Sequence, residues 1–335
     1  MRNVFTLLML LACCGNCFAD VKTIVVAQDG SGDFKTMQDA IAAVPDDSPD
    51  RVIIHIKPGI YEGQILLPKS KSNVTFEGED KDKSILSYSL NVSDPRPTGV
   101  SSQFGGTGVV ILGDDFRAEN LMFRNISGDH GQALALRIDG DRAILSNCKL
   151  SGWQDTLMIN NGRLYFHDCY IEGRVDFIYG SATAVFEDCE IHSKNGGHVT
   201  AANTPQDNPF GFVFLHCKLT GDAIPWVSTT SPSTRPARVT PKADLGRPWR
   251  PYAAVAFIAC EIGDHIKPAG WNNWGHASNE QTARYSEYNC TGPGADRSNR
   301  VDWSKELSDD EAAKYTVENI LGGTDGWKPK EAETK

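Results

Sequence analysis

A chain of 335 residues, 40% hydrophobic and 23% charged, is long enough to bury a large core as one or two globular domains. Its formal net charge is −10, with lysine and arginine scattered rather than in runs, which argues against a nucleic-acid or anionic-membrane partner. A polyanionic substrate, if there is one, is not attracted by bulk charge.

The first predicted element is a secretory signal peptide over residues 1–19. MRNVFTLLMLLACCGNCFA has one basic residue, an apolar run from Val4 to Ala12 and a small residue, Ala19, before Asp20, and it is too short for a spanning helix. The alternative is a lipoprotein signal, in which LLAC (10–13) is cut before Cys13 and the cysteine carries lipid. No later stretch is apolar enough to form a transmembrane segment, and no interdomain linker interrupts residues 20–335, which read as a single domain. Next, FKTMQDAIAAVP (34–45) sets Met37, Ile41 and Val44 at helical spacing and stops at Pro45, predicting a short helix that caps the fold.

The middle of the chain is organised by its cysteines. Six remain after the signal, and a phrase recurs around five of them: LSNCKL (145–150), FHDCYI (166–171), FEDCEI (186–191), LHCKL (215–219) and IACEI (258–262); Cys290 is the sixth. FRNIS (123–127) reads as one more copy, with Ile126 in the cysteine's place. The steps are 22, 21, 20 and 28 residues, then 43, which is two coils or one coil with a long insertion. A period near 21 in β-rich sequence without helical pairs is the mark of a parallel β-helix, an all-β fold in which each coil stacks on the last. On that reading the cysteines form a buried ladder of small hydrophobic side chains. Stacked strands lie ~4.8 Å apart, within disulfide range, so a bond between Cys169 and Cys189 stays open. Towards the C-terminus, the Ser/Thr/Pro-rich run between Gly221 and Lys242 predicts a long surface loop, and LSDDEAAKYTVENIL (307–321) a helical segment starting at Ser308.

Residues in the same phase of successive coils stack, so counting from the markers locates a candidate site. Asp155, in GWQDTL (152–157), is seven residues after Cys148, and Asp176 is seven after Cys169; Gln132 is six after Ile126, and Gln154 six after Cys148. Two acids and two amides should therefore gather on one face. A flat strand would point phases six and seven to opposite faces, so a bend is required here. Two carboxyls on rungs ~5 Å apart cannot both ionise cheaply, and one should keep its proton near neutral pH. Such a split supplies an acid and a nucleophile from one residue type, while the amides can donate to a developing oxyanion. The set suits acyl transfer or glycoside cleavage. The plainer reading is that both aspartates cap turns. No G-x-S-x-G occurs, and the eight histidines show no H-E-x-x-H spacing; His130 and His198, near the acids in sequence, read as surface or core side chains.

From about Lys22 to Trp327 the sequence resembles the pectin methylesterases, or pectinesterases. The resemblance is carried by VAQDGSGDFKTMQDAI (26–41), KPGIYEG (57–63), GQALALR (131–137), GWQDTL (152–157), GRVDFIYG (173–180), LGRPWR (245–250), PAGWNNW (268–274) and YNCTGPGA (288–295), in the family's order. It implies a right-handed single-stranded parallel β-helix that hydrolyses the methyl esters of pectin without metal or cofactor, as a monomer. It also implies Asp176 as nucleophile, Asp155 as general acid then base, Gln132 and Gln154 as oxyanion donors, and Arg247 as the partner that orients Asp176. Trp249 and Phe177 would face sugar rings, with Asn203 and Trp271 as further substrate contacts. Trp271 and Trp274 could equally cover the last coils. The chain departs from the family at Trp153, where Tyr is common, and at Arg174 and Tyr179, where Thr and Phe are usual. Rival readings are a lyase or polygalacturonase on the same scaffold, an esterase or thioesterase with another substrate, and a carbohydrate-binding protein without activity.

Overall fold

The computed structural model describes residues 22–96, 102–225, 238–239 and 241–333; the signal segment with Cys13 and most of the expected loop 221–242 lie outside them. Strands of three to five residues recur along the chain and pair in parallel with their counterparts one coil away. One sheet runs Lys22–Val26, Val52–Ile56, Val74–Gly78, Arg117–Glu119, Ala143–Ser146, Arg163–His167, Thr183–Glu187, Phe212–Leu215, Ala254–Ile258, Arg284–Tyr288 and Lys305–Glu306, in unbroken chain order. A second, 13-stranded sheet carries the other two sides of each coil, joined where Tyr170–Gly180 and Glu190–Ala202 run through both. This is a parallel β-helix.

The cysteine spacing predicts the register. Lys149 pairs with Tyr170, Tyr170 with Glu190, Glu190 with Lys218 and Lys218 with Glu261, each one residue past a cysteine. The step of 43 is thus a single coil with an insertion. The six described cysteines are free thiols, five of them buried, so Cys169 and Cys189 stack without a disulfide. A parallel ladder of rings runs beside them: Phe166, Phe186, Phe214 and Phe257 stack with centroids 4.6, 4.6 and 4.5 Å apart. Large residues here and small thiols there fill the coil at every level.

Ile126 corrects one expectation. Phe123 pairs with Leu150, so the residue beneath Cys148 is Leu121, fully buried, while Ile126 is 55% exposed. The step is 27 residues at Met122–Lys149 but 22 at Gln132–Gln154, so five extra residues leave the coil between these points. Gln132 still stacks on Gln154, but counting from Ile126 reached it by coincidence.

The N-terminal cap forms as Met37–Ala43, with Thr36 accepting from the Asp39 amide at its start and Met37, Ala40 and Ile41 buried on the first coils. The C-terminal segment forms two short helices, Asp309–Ala312 behind a Ser308/Glu311 capping box and Val317–Leu321. It covers the outer face of the first sheet, where Ile144, Tyr165, Val185, Val213 and Ala256 pack with Val317, Ile320 and Leu321. Lys330 bonds to Glu187, and Arg163 bridges Asp141 and Asp325 to hold this segment down.

The last coils close on a buried charge. Glu287, 1% exposed, accepts from Arg300, Arg297 and the Trp271 indole. Glu287→Ala would strand the Arg300 guanidinium, whose side chain is 3% exposed, without its counter-charge. Urea unfolding should show a loss of about 3–5 kcal/mol.

Candidate active site

GWQDTL and GRVDFIYG lie one coil apart, and each begins with a glycine for a steric reason. A Cβ on Gly173 would come 2.2 Å from the Phe177 Cβ, and one on Gly152 would come 2.6 Å from the Thr156 hydroxyl. The chain doubles back tightly over four residues. The required bend is at the acids themselves: Asp155 and Asp176 both take left-handed backbone, φ 66° and 52°. Aspartate tolerates that region better than most residues, and the turn swings both carboxyls out of the strand's alternation. The Asp155 amide donates to the Val175 carbonyl at 3.0 Å, which seats Asp155 directly over Asp176.

The two acids have opposite surroundings. Asp176, 6% exposed, receives two parallel hydrogen bonds from Arg247, Nε to Oδ1 at 2.8 Å and Nη2 to Oδ2 at 2.7 Å. That fork is the strongest form of carboxylate pairing. The Arg247 guanidinium in turn lies 3.8 Å from the centre of the Trp274 ring. Asp155, 4% exposed, forms no ion pair among the described residues, and its pKa is pushed up to about 7. Burial is the main cause and the Asp176 charge the second, opposed by Arg247 and by hydrogen bonds from Gln154 and Gln132. The two amides stack as neighbours across a parallel bridge, and both reach the Asp155 carboxyl. Gln132 is exposed and Gln154 half-buried, so their donors border open solvent beside the acids. A carbonyl group placed there would meet a fixed carboxylate, a neutral carboxylic acid and two amide donors.

Comparison with known proteins now decides the family. The family model described as Pectinesterase matches residues 23–324. The chain belongs to the pectinesterase family. Pectinesterase 31 of Arabidopsis thaliana is 39% identical over 311 residues, covering 90% of this chain and 93% of the relative. A pectin methylesterase from carrot superposes with a TM-score of 0.81 at 34% identity, covering 93% of this chain and 96% of the other. Pectin methylesterase PemA from Erwinia chrysanthemi gives 0.74 at 27% identity, with 93% and 99% covered. The chain is a carboxylic ester hydrolase of the pectin methylesterase kind, and nothing in these likenesses favours a lyase, a polygalacturonase or a thioesterase.

In this pectinesterase the aromatic expectations divide. Trp249 is half-buried beside the acids, its ring meeting the edge of Tyr179 at 5.8 Å. Phe177 is fully buried in the coil's core: the turn at Asp176 sends the next side chain inward, so it cannot face a sugar. Trp271 is 2% exposed, packed between Phe257 and Tyr285 with its indole on Glu287; it covers the last coil and is not a substrate contact. Trp274, three residues on, is the one that reaches the site, lying against Arg247. Asn203 is half-buried just past the end of the strand Glu190–Ala202, its amide donating to Ser181 at 2.8 Å. His130 is exposed, and His198 pairs with the buried Asp244 at 2.8 Å.

Sequence reasoning passed over what the departures do. Arg174 forms an ion pair with Asp129, tying the loop that leads into Gln132 to the strand of Asp176. Trp153 lies under the Lys194 ammonium, 4.1 Å from its ring centre. Tyr179 meets the Trp249 ring edge-on, and burial, with the Asp155 charge second, holds its phenol well above the ordinary value. The available signal was the register, since Met158, Tyr179 and Ala201 form one row and Arg247 follows Gly246 in the next strand.

Proposed function

We propose that this chain demethylates pectin by a two-step acyl transfer in which Asp176 is the nucleophile and Asp155 the acid and then the base. The observation that carries the reading is the split pair: one carboxyl forked by Arg247, its neighbour in the same phase held near half-protonation at neutral pH. The Asp176 carboxylate attacks the ester carbonyl of a galacturonate residue, and Gln132 and Gln154 donate to the oxyanion as it forms. Collapse of the tetrahedral species breaks the bond to methoxide, which leaves as methanol with the Asp155 proton. The product on the enzyme is a mixed anhydride. Asp155, now a carboxylate, takes a proton from water, and the resulting hydroxide attacks the anhydride, freeing the new carboxylate and restoring Asp176. Ester, water and two carboxyls supply every proton and electron pair, so the cycle requires no cofactor.

Pectin is the substrate that this reading assigns, with Trp249 as the ring against which a sugar lies. The chain acts as a monomer after secretion, residues 1–19 being its signal peptide, with lipid attachment at Cys13 as the other route to the outside. One pectin methylesterase among the structural neighbours, 27% identical, is in complex with a hexasaccharide. The test is to supply highly methylated pectin and to follow methanol, unsaturated ends and reducing ends together. Methanol alone is the expected result; unsaturated ends or new reducing ends would overturn it. Gln154→Leu should lower methanol release by about 10²-fold, with the melting temperature little changed, if the amide serves the oxyanion rather than the fold.

A further inference from the structure

Between Asn125 and Gln132 the backbone leaves the coil, and its own hydrogen bonds do little to hold it there. Ile126 donates to the Tyr88 carbonyl at 2.8 Å and Ser127 to the Asn125 side chain at 3.0 Å. From Gly128 to Gly131 no loop amide donates to a backbone carbonyl among the described residues. Gly128 and Gly131 take φ of 89° and 116°, and a Cβ on Gly131 would meet nothing within 4 Å. The chain rejoins the coil at Gln132, whose carbonyl accepts from Val92 at 2.9 Å and which bridges to Gln154. Its exposed side chain therefore follows directly on a glycine that leaves the backbone free to swing.

Asp129, three residues before Gln132, anchors this loop through its ion pair with Arg174. Arg174 stands two residues before Asp176 on the strand Tyr170–Gly180, and its amide donates to the Trp153 carbonyl at 2.8 Å. The pair thus runs from the coil of Gln132, past that of Gln154 and Asp155, to that of Asp176. With side chains 37% and 29% exposed, it adds little to stability. The Arg174 Nε is moreover buried without a hydrogen-bond partner among the described residues, which destabilises the fold. We propose that Arg174 and Asp129 are positioning residues for Gln132. Their ion pair fixes the loop so that the Gln132 amide keeps the distance from Asp176 that an oxyanion formed by its attack requires. This rests on the reading of Gln132 as an oxyanion donor.

Arg174→Thr leaves a side chain too short to span the intervening coil. On methylated pectin kcat should fall about ten-fold, part of the ~10²–10³-fold that loss of an oxyanion donor costs, with KM within about two-fold. The melting temperature should hardly move. Asp129→Asn should show the same loss, and the double variant no more than either. Arg174→Lys keeps a cation that reaches the carboxylate and should restore most of kcat. In a Gln132→Leu background Arg174→Thr should add nothing. If Arg174 instead held a carboxylate of the polymer, Arg174→Thr would raise KM and Asp129→Asn would leave kcat unchanged. That result, a parent-like kcat in either single variant, or a full further loss in the Gln132→Leu background overturns the proposal. Gln132→Leu alone separates the two claims. If it keeps parent kcat, the oxyanion reading of Gln132 itself fails; if it is impaired while Arg174→Thr behaves as the parent, the role of the ion pair alone falls.

Discussion

Asp176→Asn should lower methanol release by about 10⁴-fold or more while the protein stays folded and still binds pectin. An amide of the same shape is far too weak a nucleophile to open an ester, and among the described residues no other carboxylate is forked by Arg247. The substitution also discriminates between the two readings of the residue. Were Asp176 only a turn former, asparagine would serve as well, since it accepts the φ of 52° that the position demands. The ion pair with Arg247 is lost, but the guanidinium keeps the Trp274 face, and its side chain is 21% exposed, so it is not stranded without water. The melting temperature should therefore move by only a few degrees, in contrast to Glu287→Ala. A variant with near-parent methanol release would remove Asp176 from the chemistry.

Much of this site was legible because a β-helix converts sequence spacing into spatial proximity. Asp155 and Asp176 follow consecutive cysteines at the same distance, and those cysteines do stack. The arithmetic holds only while the coil length is constant. It gave the right amide from the wrong marker at Ile126, because five residues leave the coil just before Gln132. It could not reach Arg247 at all, since the coil that delivers it contains the long insertion; family resemblance alone pointed there. Side-chain direction was harder still. The left-handed turn at Asp176 resets the alternation, so Phe177 goes inward, and only packing distinguishes the buried Trp271 from Trp274 three residues later.

Asp155→Asn should lower activity by about 10³-fold and at the same time stabilise the protein at neutral and alkaline pH. The folded carboxyl titrates at about 7 against an ordinary value of 3.8, so between those pH values the native state holds a proton that the unfolded chain has lost. Stability therefore falls as pH rises through that window, and above it the buried charge costs about 4 kcal/mol. Asparagine cannot ionise, and the variant should lack that slope. Urea unfolding at pH 5 and pH 8 measures it directly: the parent should weaken between the two relative to the variant. The same proton governs catalysis. Attack on the ester needs Asp155 neutral, so kcat/KM of the parent should decline as pH passes about 7. Equal stability slopes for parent and variant would mean that Asp155 ionises freely in the fold, and it could not then be the acid that releases methanol. A carboxyl kept near neutrality at a cost to stability is what the acid–base role requires, and the two measurements together test whether the cost and the catalysis come from the same group.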